Sequence, residues 1–272
     1  MGKTIITVAT TGAWPSKEDN PNIPLTPQEI AEDVFDCYQA GASIAHLHMR
    51  DDEGLGTMDK KRFAQAVHLI RQSCDIVLNL TTSGDLRATD EERMAHLIEL
   101  KPQLASFDAG SMNWMNSSVF LNSPAFLERL GNVMAQNGIK PEIEIFDIGM
   151  INNAKYYLKK GVLKSPAHFQ LVLGAAGGAE ATVDNLLHLR RLLPQDATWS
   201  ALGIGKGHMP IMLATIALGG HLRVGMEDNI YYGPDQLAES NTQLVKRAAH
   251  LVAISGGEVA TVSDTCSILG LH

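Results

Sequence analysis

A single (β/α)8 barrel occupying residues 1–272 is the fold class that the sequence predicts. Three observations lead there. Apolar runs of strand length alternate with longer amphipathic stretches from end to end. The alternation counts to eight, the number a closed (β/α)8 barrel needs. No Pro/Gly/Ser-rich linker, charge block or short internal repeat divides the chain. A doubly wound open sheet is the competing architecture, and the count of eight favours the barrel over it.

The elements follow in order. The first strand is read at 3–10 (KTIITVAT). The helix after it, in TPQEIAEDVFDCYQAGA, has Thr26 as N-cap, Pro27 at the first helical position and Glu29 three residues after the cap, and it closes on Gly41. Strands are then read at 43–51 (SIAHLHMRD) and 75–83 (DIVLNLTTS). The helix in TDEERMAHLIELKP begins at Thr89 or Asp90 and stops at Pro102. The fourth strand, 103–111 (QLASFDAGS), leads to a helix running from Ser123 to Gly138. The last four strands are read at 140–147 (KPEIEIFD), 167–174 (AHFQLVLG), 197–205 (ATWSALGIG) and 222–229 (LRVGMEDN).

With 272 residues and 45% hydrophobic content, the chain can bury a sizeable core. The formal charge of -8, from 22 basic and 30 acidic residues, argues against a nucleic-acid footprint and against an anionic membrane surface. Small anionic ligands stay admissible where local cations receive them. The N-terminus lacks the apolar h-region of a signal peptide, and no segment approaches a membrane span. Cys37, Cys74 and Cys266 are odd in number, far apart and without metal-ligand spacing, so reduced thiols in a cytoplasmic protein are expected.

In a barrel of this type, function sits at the C-terminal ends of the strands. Side chains alternate along a strand, so His46 and His48 are expected on one face, and Arg50 and Asp52 likewise. Two imidazoles so placed can give two nitrogens to one zinc ion, hydrogen-bonded core histidines being the plainer reading. The eighth strand carries Arg223, Gly225 and Glu227 on one face, with Asp228 at its mouth. In a closed barrel that strand pairs with the first and lies two places from the second. Glu227 can therefore complete a His2Glu site with an open position. An inward Arg223 needs an anionic partner, either Asp228 or a substrate carboxylate.

Glu142 and Glu144 point to one side of the fifth strand, a costly placement unless they are paired, solvated or used in acid–base chemistry. Thr81, Thr82, Ser106 and Ser111 offer hydroxyls near the mouth. Glycine-rich loops at 173–182 and 202–210, the second with Gly205 and Lys206, could hold the phosphates of a nucleotide-containing ligand, though neither fits a P-loop or G-x-G-x-x-G spacing.

These stretches resemble the β-keto acid cleavage enzymes over essentially the whole chain, through PLTPQEIAEDV, AGASIAHLHMRDDEG, NLTTSG, KPEIEIFDIGMI, FQLVLGAAGG, LGGHLRVGMEDNIY, SNTQLVKRAAHL and the terminal ILGL. The resemblance implies a zinc-dependent (β/α)8 barrel, usually a homotetramer. It implies transfer of an acyl group between a β-keto acid and acetyl-CoA as co-substrate, yielding acetoacetate and a new acyl-CoA. The family's zinc ligands fall on His46, His48 and Glu227, and its acid–base arginine and aspartate on Arg223 and Asp228. Its catalytic glutamate falls on the PEIE strand, with Glu142 favoured and Glu144 the alternative. Hydroxyls for the substrate carboxylate and ketone fall on Thr82 (or Thr81) and Ser106.

One position departs from the family type that acts on 3-keto-5-aminohexanoate. Where that type has an acidic residue for the ammonium group, this chain has Trp14. An indole removes the counter-charge and adds an apolar wall, so a neutral or apolar acyl tail is expected. A zinc hydrolase of the amidohydrolase type also uses H-x-H in a barrel, but on the first strand and with histidines on the fifth and sixth. A non-catalytic metal- or ligand-binding barrel would not need Asp228 and the paired glutamate.

Overall fold

The computed structural model describes residues 2–271. Its centre is a closed barrel of eight parallel strands: β1 (Ile6–Ala9), β2 (Ile44–Leu47), β3 (Val77–Leu80), β4 (Leu104–Asp108), β5 (Lys140–Ile145), β6 (His168–Leu173), β7 (Thr198–Gly203) and β8 (His221–Val224). β8 pairs with β1 through Arg223 and Thr7, and β1 pairs with β2 through Ala9 and His46. The expected closure therefore holds, and β8 stands two strands from β2.

Helices α1 (Pro27–Gln39), α2 (Lys60–Ser73), α3 (Asp90–Leu100), α4 (Pro124–Gln136), α5 (Ile148–Lys160), α6 (Val183–Leu192), α7 (His208–Ala217) and α8 (Asn241–Ile254) surround the sheet. The caps read from the sequence are formed. Thr26 and Glu29 make a reciprocal capping box on α1, Thr89 and Glu92 another on α3, and the Ser123 hydroxyl accepts from the Phe126 N–H. A further helix, α9 (Val262–Leu269), was not among the expected elements; it opens on its own box between Thr261 and Asp264. Among the described residues no helix is long and apolar enough to cross a membrane.

Alternation along the strands divides the protein into two chemically different interiors. The outward set, including Val8, Leu47, Leu80, Phe107, Ile143 and Phe169, packs with helix residues such as Ile30, Val34 and Phe63 into one large apolar cluster. Burial of each such side chain contributes roughly 1.5–3 kcal/mol, so this layer supplies most of the hydrophobic stabilisation. The inward set is largely polar above the lowest layer: Thr7, His46, Asn79, Ser106, Glu142, Gln170, Ser200 and Arg223 are all buried. At the N-terminal end the inward positions Ile5, Ile44, Val77 and Leu104 are apolar, and Leu269 of α9 packs with them. The barrel is thus stoppered at the bottom and polar from mid-height to the mouth.

All eight barrel strands end earlier than the sequence pattern suggests, and β2 and β8 do so with a change of direction at the mouth. β2 stops at Leu47, and Met49–Arg50 turns away to pair antiparallel with Gly56–Thr57. Arg50 is buried on backbone carbonyls while Asp52 is exposed beside Arg62, so these two do not share the inner face with the histidines. β8 stops at Val224 because Gly225 adopts φ +139, and the Asp228 and Asn229 N–H groups donate to its carbonyl. Glu227 therefore reaches the site from a turn rather than from the strand. A Cβ at Gly225 would lie 2.0 Å from the Ala9 carbonyl oxygen. Gly225→Ala is expected to cost at least about 2 kcal/mol, from strained backbone together with the clash, read as a lowered urea midpoint. An unchanged midpoint would contradict this account of the turn. The predicted seventh strand likewise ends at Gly203, and Gly205–Gly207 forms a short 3-10 turn before α7.

Candidate active site

The mouth of the barrel gathers residues that lie far apart in the chain. His46 closes the inward face of β2 and His48 follows just beyond it, their ring centroids 5.1 Å apart. Their Nε2 atoms lie 3.6 and 3.3 Å from the same oxygen, Oε1 of Glu227. Both Nδ1 atoms and Glu227 Oε2 are buried without a hydrogen-bond partner. Burial, reinforced by the charge of Arg223, brings the His46 pKa down to about 3, so its ring is neutral with a lone pair free. Burial opposes ionisation of Glu227, but His48, Arg223 and His46 outweigh it and hold the carboxyl below the usual range. One ligand atom from each of the three residues falls within a common 4.8 Å. Two imidazoles and one carboxylate, converging with unsatisfied atoms, fit a divalent cation.

The turn that carries Glu227 is tied down from three sides. Glu227 N–H donates to the Ala9 carbonyl, and Met226 N–H donates to Asn241 Oδ1 at 2.7 Å. Asn241 Nδ2 in turn donates to the Thr10 carbonyl and to Asp33. Gly12 packs against the Glu227 side chain so closely that a Cβ there would sit 2.7 Å from its Cγ.

Arg223 is the hub. Its Nε and Nη2 donate to the two oxygens of Asp228 at 2.9 and 3.0 Å, a bidentate pair. Nη2 also donates to Glu227 Oε1 at 2.6 Å, and Nη1 to Glu144 Oε1 at 3.2 Å. One buried cation thus orients three carboxylates. Burial pushes the Asp228 carboxyl up to about 6 against the pull of Arg223, and burial with Asp108 beside it raises Glu144 well above the ordinary range.

The two glutamates of β5, left as alternatives by the sequence, have different surroundings. Glu144 meets Arg223 and borders the central cavity. Glu142, the one favoured above, lies lower in the barrel: its Oε1 accepts from Asn79 Nδ2 at 2.5 Å, and His168 Nε2 is 3.6 Å from its Oε2. The inner face of β5 drops by one layer for every two residues, which a sequence register alone does not resolve.

Thr82 and Ser106 are brought together but turned toward each other. The Thr82 N–H donates to Ser106 Oγ and the Thr82 hydroxyl to the Ser106 carbonyl, each at 3.0 Å. Thr81 bonds with Ser83, and the Ser111 hydroxyl accepts from the Asn122 N–H. Asp108, at the end of β4, was not singled out; it lines the cavity beside Glu144, and its Oδ2 is buried without a partner. A carboxylate at the C-terminal end of a barrel strand was the available signal.

A cavity of about 180 Å³ joins these groups, with His46, His48, Asp108, Glu144, Arg223, Glu227 and Asp228 forming its polar part. Apart from Ser83 its other walls are apolar, and four aromatic rings dominate them. Trp14 stacks on Trp114 at 6.3 Å, and Trp114 meets Phe120 and Phe146 edge-on at 6.0 and 5.8 Å. Trp114 and Phe120 come from a hairpin, Met112–Trp114 with Ser118–Phe120, that follows β4. The loop bearing Trp14 is held by Arg50, whose guanidinium donates to the carbonyls of Thr11, Gly12, Pro15 and Gly54. Gly205 and Lys206 do not line this cavity; they border an adjoining cleft with Tyr231, Tyr232 and His208. A backbone hydrogen bond of 3.3 Å from the Gly205 N–H to the Asp228 carbonyl links a residue of that cleft to one lining the cavity.

Comparison with known proteins places this arrangement in context. A family model described as beta-keto acid cleavage enzyme matches residues 3–271. The chain is 40% identical to a 3-keto-5-aminohexanoate cleavage enzyme of Fusobacterium nucleatum subsp. nucleatum, over 100% of this chain and 99% of that one. It is 35% identical to a 3-oxoadipate:acetyl-CoA acetyltransferase of Cupriavidus necator, over 98% and 94% of the two chains. It is 34% identical to a 3-dehydrocarnitine:acetyl-CoA trimethylamine transferase of Rhizobium meliloti, over 93% and 92%. The apo structure of ObcA shares the fold with a TM-score of 0.82 at 20% identity, matching 92% of this chain and 66% of that longer one.

Proposed function

The chain belongs to the β-keto acid cleavage enzyme family, and from that premise we propose that it reacts a β-keto acid with acetyl-CoA to give acetoacetate and a new acyl-CoA. The observation that carries the reading is the Arg223–Asp228 pair, held at 2.9 and 3.0 Å inside the same cavity as His46, His48 and Glu227. Zinc held by His46, His48 and Glu227 would supply Lewis acidity toward the keto acid's oxygens and stabilise negative charge as it develops.

Asp228 takes the proton from C2 of the keto acid, and Arg223 keeps its carboxylate aimed and ionised until then. The C2 carbanion adds to the thioester carbonyl of acetyl-CoA and expels CoA thiolate. The thiolate attacks the original ketone, the C2–C3 bond breaks, and Asp228 returns its proton to C2 of the departing acetoacetate. Glu144 grips the far side of the guanidinium, so we assign it, rather than Glu142, as the glutamate of the acid–base group. Thr82 and Ser106, whose hydroxyls are engaged with each other, would contact the substrate carboxylate and ketone only after turning. The cleft at Gly205 and Lys206 is assigned to CoA, the Lys206 cation being suited to its phosphates. A homotetramer in the cytoplasm completes the reading; the free thiols of Cys37, Cys74 and Cys266 accord with a reducing compartment.

The test is mass-spectrometric detection of acyl-CoA after incubating zinc-loaded protein with acetyl-CoA and neutral, amino and acidic β-keto acids. New acyl-CoA with equimolar acetoacetate is expected. No product from any acid, with zinc bound, would overturn the reading.

A neutral or apolar substrate tail is our reading, supported by Trp14, Trp114, Phe120 and Phe146, which offer no counter-charge along that wall of the cavity. Trp14→Glu is expected to move the ratio of kcat/KM between amino-tailed and uncharged substrates at least about tenfold toward the amine. An unmoved ratio removes Trp14 from substrate selection. The hydrolase alternative draws no support from β5, which carries no histidine.

A further inference from the structure

Asp33 stands outside the cavity, on the face of α1 that meets α8, and the chemistry proposed above leaves it without a task. One helical turn further on, Cys37 Sγ lies 3.7 Å from Thr242 Oγ1, so the seam between the two helices continues past it. Burial in that seam pushes the Asp33 carboxyl up to about 7, against the pull of the Asn241 amide, and Asp36 adds to the rise. An acid kept where burial disfavours its charge calls for a donor, and Asn241 Nδ2 supplies one at 2.7 Å.

Asn241 opens α8 directly after its N-cap. Ser240 already receives the Gln243 N–H, so the Asn241 side chain is free to reach the end of β1, where it is fully buried. Its two ends meet different partners. Nδ2 donates to the Thr10 carbonyl as well as to Asp33, while Oδ1 accepts from the Met226 N–H at 2.7 Å. Met226 immediately precedes Glu227 and Asp228 in the turn beyond β8. A side-chain amide has one accepting end, and the reverse orientation would set Nδ2 against the Met226 N–H and Oδ1 against two acceptors.

Resting on the metal reading above, we propose that Asp33 is a positioning residue of the metal site that acts through Asn241: by accepting from Nδ2 it aims Oδ1 at the Met226 N–H and so fixes the turn that presents Glu227. Thr10 alone would leave one Nδ2 hydrogen unengaged. With both taken, the amide is held from α1, β1 and the turn together. Hydrogen bonds behind a ligand set how well it is oriented for its metal.

The experiment is a zinc competition titration against a chelator at pH 8, where Asp33 is ionised, on the parent, Asp33→Ala, Asn241→Ala and the double variant, with the melting temperature of each metal-free protein. Expected is a roughly tenfold loss of zinc affinity in each single variant, with the double variant no weaker than Asn241→Ala, as for two residues acting in one line. The folded-state pKa of Asp33 lies above the ordinary 3.8, so at pH 8 the ionised group opposes folding. Its removal should therefore not lower the metal-free melting temperature. Affinity of Asp33→Ala within about twofold of the parent overturns the inference and leaves the metal reading standing, whereas a parent that takes up no zinc overturns both. Losses that multiply in the double variant overturn it too, as does a loss of affinity matched by a fallen metal-free melting temperature. Should Asn241→Ala not fold, Asp33→Asn decides. Its amide oxygen can still accept from Nδ2, so parent-like affinity is expected, and a loss equal to that of Asp33→Ala would contradict the assignment.

Discussion

Asp228→Asn is expected to lower kcat by about a hundred- to ten-thousandfold while zinc binding and melting temperature stay close to the parent's. The amide keeps one oxygen for Arg223, and the neighbouring turn is anchored by Ala9 and Asn241 rather than by this side chain. What it loses is basicity. Burial drives the Asp228 pKa up to about 6, within reach of a carbon acid's proton, while the bidentate contact with Arg223 keeps the group from becoming a fixed neutral acid. Single-turnover measurement of deuterium exchange at C2, without acetyl-CoA, isolates this step. Near-normal exchange in zinc-replete Asp228→Asn would show that another group takes the proton.

Removing the hub should be more damaging to the fold itself. Arg223→Met leaves Glu144, Glu227 and Asp228 together in a buried space without their shared cation. Breaking a buried ion-pair network from one side costs about 3–5 kcal/mol. The sign with pH is determined by the carboxylates: Asp228 and Glu144 already lie above their unfolded values and rise further without Arg223, and Glu227 loses the cation that helps hold it down. The folded variant then holds protons that its unfolded chain has released, so its stability falls as pH increases through that interval. The deficit should be largest near pH 8 and shrink toward pH 5, as urea denaturation at the two pH values would reveal. A constant deficit would place the damage in lost packing rather than in charge.

The barrel was legible because its outer face is so regular. Residues such as Ile143, Ile145, Phe107 and Leu47 alternate with polar partners, and caps at Thr26, Thr89 and Ser123 mark the helix starts in the sequence itself. His46, His48, Glu227, Arg223 and Asp228 were legible as a group because parallel closure determines which strand ends can meet. What escaped were features decided by three-dimensional competition. Glu142 and Glu144 stand two residues apart on the same face of β5, and the height of Arg223 in the barrel distinguishes them. The end of β8 depended on Gly225 being pressed against Ala9, a contact between segments more than 200 residues apart. Helix α9 was missed although its capping box was present, since a count of eight had already been satisfied.

The grip of Arg50 on the first loop has an evolutionary consequence. All four of its acceptors are main-chain carbonyls, at Thr11, Gly12, Pro15 and Gly54, so the loop's path is indifferent to which side chain stands at position 14. Trp14 is 58% exposed and also lines the cavity. It can therefore be exchanged at little cost to the scaffold, a socket through which the cavity can be refitted from one acyl chain to the next while His46, His48, Glu227, Arg223 and Asp228 stay where they are.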